Sequence, residues 1–188
     1  MTAAPQDPPH TAILTWSGFV YQGKLTLYHS LTLINSNYGA NRALKLQLES
    51  QDDFAIHLVE QCLSIHQVKA YKETRFSAYA EGLSTQRENA LKRKIPLTYF
   101  HVAPQVTGIP VTFEADYSPV KFYPYPVGSA GEAIATQPFC PLKEVDRYIQ
   151  KEIEALVIRF AAHAPWKKNC VNTTQNALEA AVNKKVIV

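Results

Sequence analysis

Leu44-Lys45-Leu46-Gln47-Leu48-Glu49-Ser50-Gln51-Asp52-Asp53-Phe54-Ala55-Ile56-His57-Leu58-Val59-Glu60-Gln61-Cys62-Leu63-Ser64-Ile65-His66-Gln67-Val68-Lys69 is the stretch that sets the fold class. Leu44, Leu46 and Leu48 alternate with Lys45, Gln47 and Glu49, the period of a strand with one apolar face. Ser50-Gln51-Asp52 has turn composition. Phe54, Ile56 and Leu58 then alternate with Asp53, Ala55 and His57. Glu60-Gln61 marks a second turn, and Leu63 to Ala70 make a third strand. Connections this short make neighbouring strands antiparallel, so a three-stranded meander is expected.

Upstream, Ser17 is an acceptable N-cap for a helix. Val20, Leu27, Leu31 and Ile34 form one apolar stripe on it, and Tyr21, Leu25 and Tyr28 an adjacent one. The helix should end near Asn35-Ser36-Asn37, before Gly39. Residues 1–15, with Pro5, Pro8 and Pro9, read as a flexible leader. Downstream, 71–95 reads as helical, at least from Thr85 to Lys94. Leu97–Val102 and Val120–Tyr125 are strand candidates with irregular chain between them.

Phe139–Ala164 reads as the clearest helix. Pro141 sits just inside its start, Glu144 and Asp146 lie in its first turns, and Pro165 ends it. Its stripe is Leu142, Val145, Ile149, Leu156 and Phe160. Residues 166–188 hold Lys167, Lys168, Lys184 and Lys185 and one more short helix. The expected architecture is α/β: a mixed sheet with an antiparallel meander, flanked by helices, over 16–138. A helical extension over 139–188 would pack on that core or dock a partner.

The chain has 188 residues, 46% hydrophobic and 11% aromatic, enough to bury a core without disulfide or metal staples. The charged fraction of 19% lies below the roughly 25% usual for soluble domains, which argues against disorder and hints at covered surface. A net charge of +3 excludes a strongly acidic protein and little else. Cys62, Cys140 and Cys170 are odd in number and widely spaced, so neither a disulfide framework nor a zinc knuckle follows. Met1 to His10 has no positive charge and no signal-peptide core. No apolar run approaches the roughly 20 residues that cross a bilayer. A cytoplasmic protein with no membrane partner is expected.

The meander also carries chemistry. Glu49 and Asp53 face each other across a tight turn, which holds two carboxylates together. Gln67 and Lys69 are two apart, so their side chains share a face. If the second and third strands pair, Asp53, Gln67 and Lys69 converge. Asp53 suits a hard cation such as Mg²⁺, with the Gln67 amide oxygen a weaker ligand. Lys69 can orient a water or steady a developing phosphorane charge. Together these are equipment for metal-assisted phosphodiester hydrolysis. Asp53 is preferred to Asp52 because it directly precedes Phe54 and Ile56; Asp52 is the alternative, and both are also good turn residues. His66 has the opposite parity to Gln67, so packing suits it better than chemistry; structural roles also suit His57 and His101. Residues 69–94 hold seven basic residues, Lys69, Lys72, Arg75, Arg87, Lys92, Arg93 and Lys94, against three acids, a local excess of +4. That bias can neutralise phosphates, or simply solvate a helix face.

The order of helix, acid-bearing strand and Gln67-Val68-Lys69 on the next strand resembles the PD-(D/E)xK nuclease superfamily in its Gln-x-Lys variant. Gly18-Phe19-Val20-Tyr21-Gln22 opening the first helix and Asp52-Asp53-Phe54 opening a strand are similar to nuclease domains of bacterial antiphage effectors. These include domains activated by cyclic oligonucleotides and nuclease-like subunits of three-component ABC-ATPase systems. Pro138-Phe139-Cys140-Pro141-Leu142, then Val145-Asp146, resembles the latter group. The resemblance implies a restriction-endonuclease-like core that cuts double-stranded DNA with Mg²⁺, for which Mn²⁺ would substitute. It implies Asp53 as metal ligand, Lys69 as catalytic lysine and Gln22 as a helix residue facing the site. Gln67 stands where most members carry an acid, so the metal site loses a negative charge unless Glu49 compensates. An ABC-type ATPase, another defence subunit or a second copy of the chain is the implied protein partner. The alternative is a degenerate nuclease fold that binds DNA or assembles a complex, which Gln67 favours.

Overall fold

The computed structural model describes residues 11–41, 43–49, 52–127, 135–160 and 167–186. Its centre is a five-stranded mixed sheet of β1 (Leu44–Leu48), β2 (Phe54–Leu58), β3 (Gln61–Lys69), β4 (Leu97–Val102) and β5 (Val120–Phe122), in that spatial order. The first three strands form the expected antiparallel meander, with Leu46 opposite Ile56 and Phe54 opposite His66. β3, β4 and β5 run parallel, with Gln67 opposite Phe100 and Phe100 opposite Phe122. A separate two-stranded ladder joins β6 (Tyr125–Val127) to β7 (Ala135–Gln137).

The meander is short-range because its turns are tight. Leu58 pairs with Gln61, which leaves Val59-Glu60 as the whole connection, and Val59 takes a left-handed φ of 56°. The β3–β4 pair is parallel and needs a crossover, supplied by α3 (Ala80–Arg93). Lys94 closes α3 in the left-handed conformation, with its N–H directed to Ala90 and Leu91 carbonyls.

Helices cover both faces. On one side lie α1 (Thr11–Ser36), α5 (Val145–Phe160) and α6 (Lys167–Val186). Tyr21, Leu25, Tyr28 and Leu31 of α1 meet Tyr148, Ile149 and Ile153 of α5 and Val171 of α6 in one core. On the other side α3 packs Leu83 against Phe100, Val102 and Val120, and Ala90 against Ala55 and Ile65. Because α5 shares its core with α1, segment 139–160 is an integral layer of the fold. Among the described residues no helix is long and apolar enough to cross a membrane.

Several boundaries differ from the sequence reading. The first helix begins at Thr11, so Ser17 is interior to it, not its N-cap. Residues 1–10 of the expected leader lie outside the described residues, and 11–15 are helical. Residues 71–75 are not helical, and only a 3-10 turn, Phe76–Ala78, precedes α3. The chain between β4 and β5 includes α4 (Phe113–Tyr117). Val120–Tyr125 is broken at Tyr123-Pro124, giving β5 and the start of β6. The long helix starts at Val145, not at Phe139. Its approach is tied to the sheet: Cys140 N–H donates to Val102 O at 3.0 Å, and the Tyr21 hydroxyl donates to Cys140 O at 2.5 Å. Pro141 and the exposed Leu142 therefore precede the helix. The final helix is not short: it runs for 20 residues.

A polar chain runs through the core on the α1 side. Ser64 Oγ lies 3.0 Å from His66 Nε2, His66 Nδ1 3.0 Å from His101 Nε2, and His101 Nδ1 2.6 Å from the Tyr125 hydroxyl. His29 of α1 joins beside it, with its Nδ1 2.9 Å from the Tyr123 hydroxyl. Phe54 stacks on His66 and Tyr123 on His101. His57 and His101 were given structural roles; His101 is fully enclosed, while His57 is half-buried with an unpartnered Nε2.

Candidate active site

Strand periodicity directs Asp53, Gln67 and Lys69 to one face. Phe54 opposes His66, so one step earlier Asp53 comes opposite Gln67. Gln67 Nε2 donates to Asp53 Oδ2 at 3.1 Å, and Val68 N–H donates to the same oxygen. Lys69 follows two residues on, and its charge favours the ionised forms of Asp53 and Asp52. The α3 backbone comes close: a Cβ on Gly82 would lie 3.6 Å from Lys69 Cε.

Of the remaining two predicted residues, Glu49 sits in the turn itself and Gln22 reaches it from the other layer. Gln22 is buried on α1, and its Nε2 donates to Glu49 Oε1 at 2.5 Å and to Asp53 O at 3.0 Å. Glu49 takes a left-handed φ of 57°, and its own N–H also donates to Asp53 O at 3.1 Å. Gln22 is thus no exposed helix residue: it clamps the turn that carries both carboxylates. All five residues, Gln22, Glu49, Asp53, Gln67 and Lys69, stand at the end of β3 where the antiparallel half of the sheet meets the parallel half.

The electrostatics are those of crowded acids. Burial raises the Asp53 carboxyl above its usual range and the Glu49 charge adds to this, while the Val68 N–H, Lys69 and Gln67 act in the opposite sense. Burial, then the neighbouring Asp53, pushes Asp52 up to about 6. Asp52 turns towards α3, where the Gln86 amide and Arg93 oppose that shift, and its Oδ2 is buried without a hydrogen-bond partner. Asp52 therefore has different neighbours from Asp53.

Among the described residues no three His, Cys, Asp or Glu side chains stand together as a metal-binding group. The donors at the turn are two carboxylates, Asp53 and Glu49, with amide oxygens on Gln67 and Gln22. That is a hard-oxygen set suited to Mg²⁺ or Mn²⁺. The upward shift of Asp53 comes first from burial and to a lesser extent from the Glu49 charge, and a cation there would oppose both by favouring the ionised form.

The basic segment divides. Lys72 and Arg75 are exposed in the loop leaving β3, with Arg75 Nε 3.5 Å from Glu73. Arg87 is half-buried on α3, and its Nε has no partner. Lys92, Arg93 and Lys94 are exposed at the far end of α3. Lys92 is ten residues beyond Gly82, about 15 Å along the helix, so these three do not join Lys69 in one patch.

The sequence reading missed the surroundings of Lys69. A cleft of about 270 Å³ opens between the end of β3 and the first turns of α3, lined by Gln67, Lys69, Tyr71, Gly82, Thr85 and Phe100 among others. Only the small residue at Gly82 hinted at a close approach. No protein-family model, curated protein or solved structure matches the chain.

Proposed function

We propose that this chain is a metal-dependent endodeoxyribonuclease with a restriction-endonuclease-like core, a Gln-x-Lys form of the PD-(D/E)xK type, acting on double-stranded DNA in antiphage defence. One observation supports this most directly: Asp53, Gln67 and Lys69 share one face at the end of β3, with Asp53 and Gln67 hydrogen-bonded. Asp53 and Glu49, helped by the Gln67 amide oxygen, would hold Mg²⁺ or Mn²⁺. Bound there, the ion supplies Lewis-acid polarisation of the phosphoryl group.

The protein's own groups do the rest. Lys69 orients the attacking water and stabilises negative charge on the phosphoryl oxygens. Gln22 fixes the turn, so the two carboxylates keep their separation as substrate arrives. Lys72 and Arg75 neutralise nearby phosphates, and Arg87, Lys92, Arg93 and Lys94 serve a more distant part of the duplex. Restraint of the activity falls to a partner, an ABC-type ATPase, another defence subunit or a second copy.

The test is incubation with plasmid and linear duplex in Mg²⁺ or Mn²⁺, against EDTA, Asp53→Ala and Lys69→Ala. Cutting that needs metal and both side chains is the expected result. A second reading is a degenerate nuclease fold used for DNA binding or assembly. It is favoured by the Asp53 Oδ2 that already accepts from Val68 N–H and Gln67 Nε2. Duplex retention without cutting would select it, and neither binding nor cutting would defeat both.

A further inference from the structure

The cleft beside Lys69 is built to take more than a phosphate. Tyr71, directly beyond β3, is half exposed, with 50% of its surface open, although it is a large aromatic next to a polar site. Lys69 Nζ lies over its ring, 5.8 Å from the centroid, so a base stacking on that face would displace the ammonium towards its own phosphate. Tyr79 braces the ring from 6.0 Å. The opposite wall is α3. Gly82 leaves the space open: a Cβ there would lie 3.4 Å from Phe100 Cζ and 3.6 Å from Lys69 Cε. Gln67 adds an amide to the same lining, and Glu81 of α3 a carboxylate that limits the room for a phosphate to the Lys69 side.

A cation, an amide and an exposed ring around one small cavity match the parts of a nucleotide. Phosphate pairs with the ammonium, and a base has a π-face for the tyrosine. At about 270 Å³ the cleft is below the roughly 300–1,000 Å³ of pockets for drug-sized ligands, a size for about one nucleotide and not for a run of them. A base inside a duplex has both faces covered by its neighbours, so an unpaired base offers Tyr71 a face that an internal paired base does not. We propose that the cleft holds one unpaired nucleotide, its base on Tyr71 and its phosphate at Lys69. DNA opened at the point of attack, at an end, flap or gap, is then the preferred substrate. The substrate preference rests on the nuclease reading above; the binding of a nucleotide does not.

Fluorescence polarisation in EDTA tests this without catalysis, using a short labelled oligothymidylate and a blunt duplex of equal length. Wild type and Tyr71→Phe should bind the oligothymidylate alike, and Tyr71→Leu should bind it at least about tenfold more weakly. Duplex affinity should be unchanged in Tyr71→Leu. Oligothymidylate binding that survives Tyr71→Leu, or single-strand and duplex binding that fall together, overturns the proposal. The two readings fail separately. Metal-dependent cutting of flapped DNA at the wild-type rate by Tyr71→Leu sinks the nucleotide cleft and leaves the nuclease. Tyr71-dependent oligothymidylate binding with no cutting in any metal upholds the cleft and sinks the nuclease.

Discussion

Gln67 of β3 donates its side-chain amide to the Asp53 carboxylate across 3.1 Å, so an uncharged donor satisfies one oxygen of a part-buried acid. A second carboxylate at that position would face Asp53 at the same distance and repel it. On the nuclease reading proposed above, a glutamine at this position trades cation affinity for a site that is stable without the ion.

Gln67→Glu exposes the trade. Two carboxylates about 3 Å apart cannot both ionise without a cation between them. The variant should melt lower than wild type in EDTA at neutral pH and recover most of the loss on addition of Mg²⁺. Thermal melts with and without the ion measure it; a variant indifferent to Mg²⁺ removes Asp53 from the list of ligands.

The buried histidines set an acid limit. Burial lowers the His29 imidazole to about 4 from 6.5. The unfolded chain takes up a proton below about 6.5 while the folded one refuses it until about 4, so stability is full above that window and falls as pH drops through it. His29 alone accounts for about 3 kcal/mol across the full window. His66 and His101 are shifted the same way by burial and add to the loss. Urea unfolding at pH 7.5 and 5 should show a much lower midpoint at pH 5, and His29→Gln should reduce the difference.

Asp52 acts in the opposite direction. Its folded value of about 6 lies above the ordinary 3.8, so the folded state holds the proton more tightly and loses stability as pH rises between them. Asp52→Asn removes the charge and should stabilise the protein at pH 7.5 while changing little at pH 4. Equal effects at both pH values would show that the carboxyl is not raised.

The β2–β3 turn offers a gain in stability. Val59 is β-branched, takes a φ of 56° and is 66% exposed. The left-handed conformation costs such a residue roughly 1–2 kcal/mol, and little packing is lost on its removal. Val59→Gly should raise stability by about 1 kcal/mol and the melting temperature by about 2–4 °C. A lower melting temperature would mean that the valine side chain has a contact that outweighs its backbone cost.

What the sequence revealed about this molecule was local. Leu44 to Lys69 carries a period of two and tight turns, and the meander followed from them together with the shared face of Gln67 and Lys69. The Gln22 clamp was only half legible: its helix was readable, but its reach to Glu49 depends on how α1 lies under the sheet. The start of α5 was misread because Pro141 looks like a first-turn proline, whereas the Cys140 bonds to Val102 and Tyr21 tie that segment to the sheet and to α1, and a separate turn closed by Glu144 N–H on Pro141 O precedes the helix. The Tyr71 cleft was illegible because its walls come from β3 and α3, and nothing local fixes their spacing.

The core chain of Ser64, His66, His101 and Tyr125 has a direction. With both imidazoles neutral, each carries one proton, and the His66–His101 link accepts only one between them. Either Ser64 donates at one end and every proton points towards Tyr125, or Tyr125 donates at the other and every proton points back. No ring can change tautomer alone, so two strands of the sheet share a single binary variable. Tyr125→Phe would leave His101 Nδ1 without that partner in either orientation. The hydroxyls of Ser64 and Tyr125, each able to donate or accept, thus let a hydrogen-bond array that crosses from β3 through β4 to β6 take either polarity.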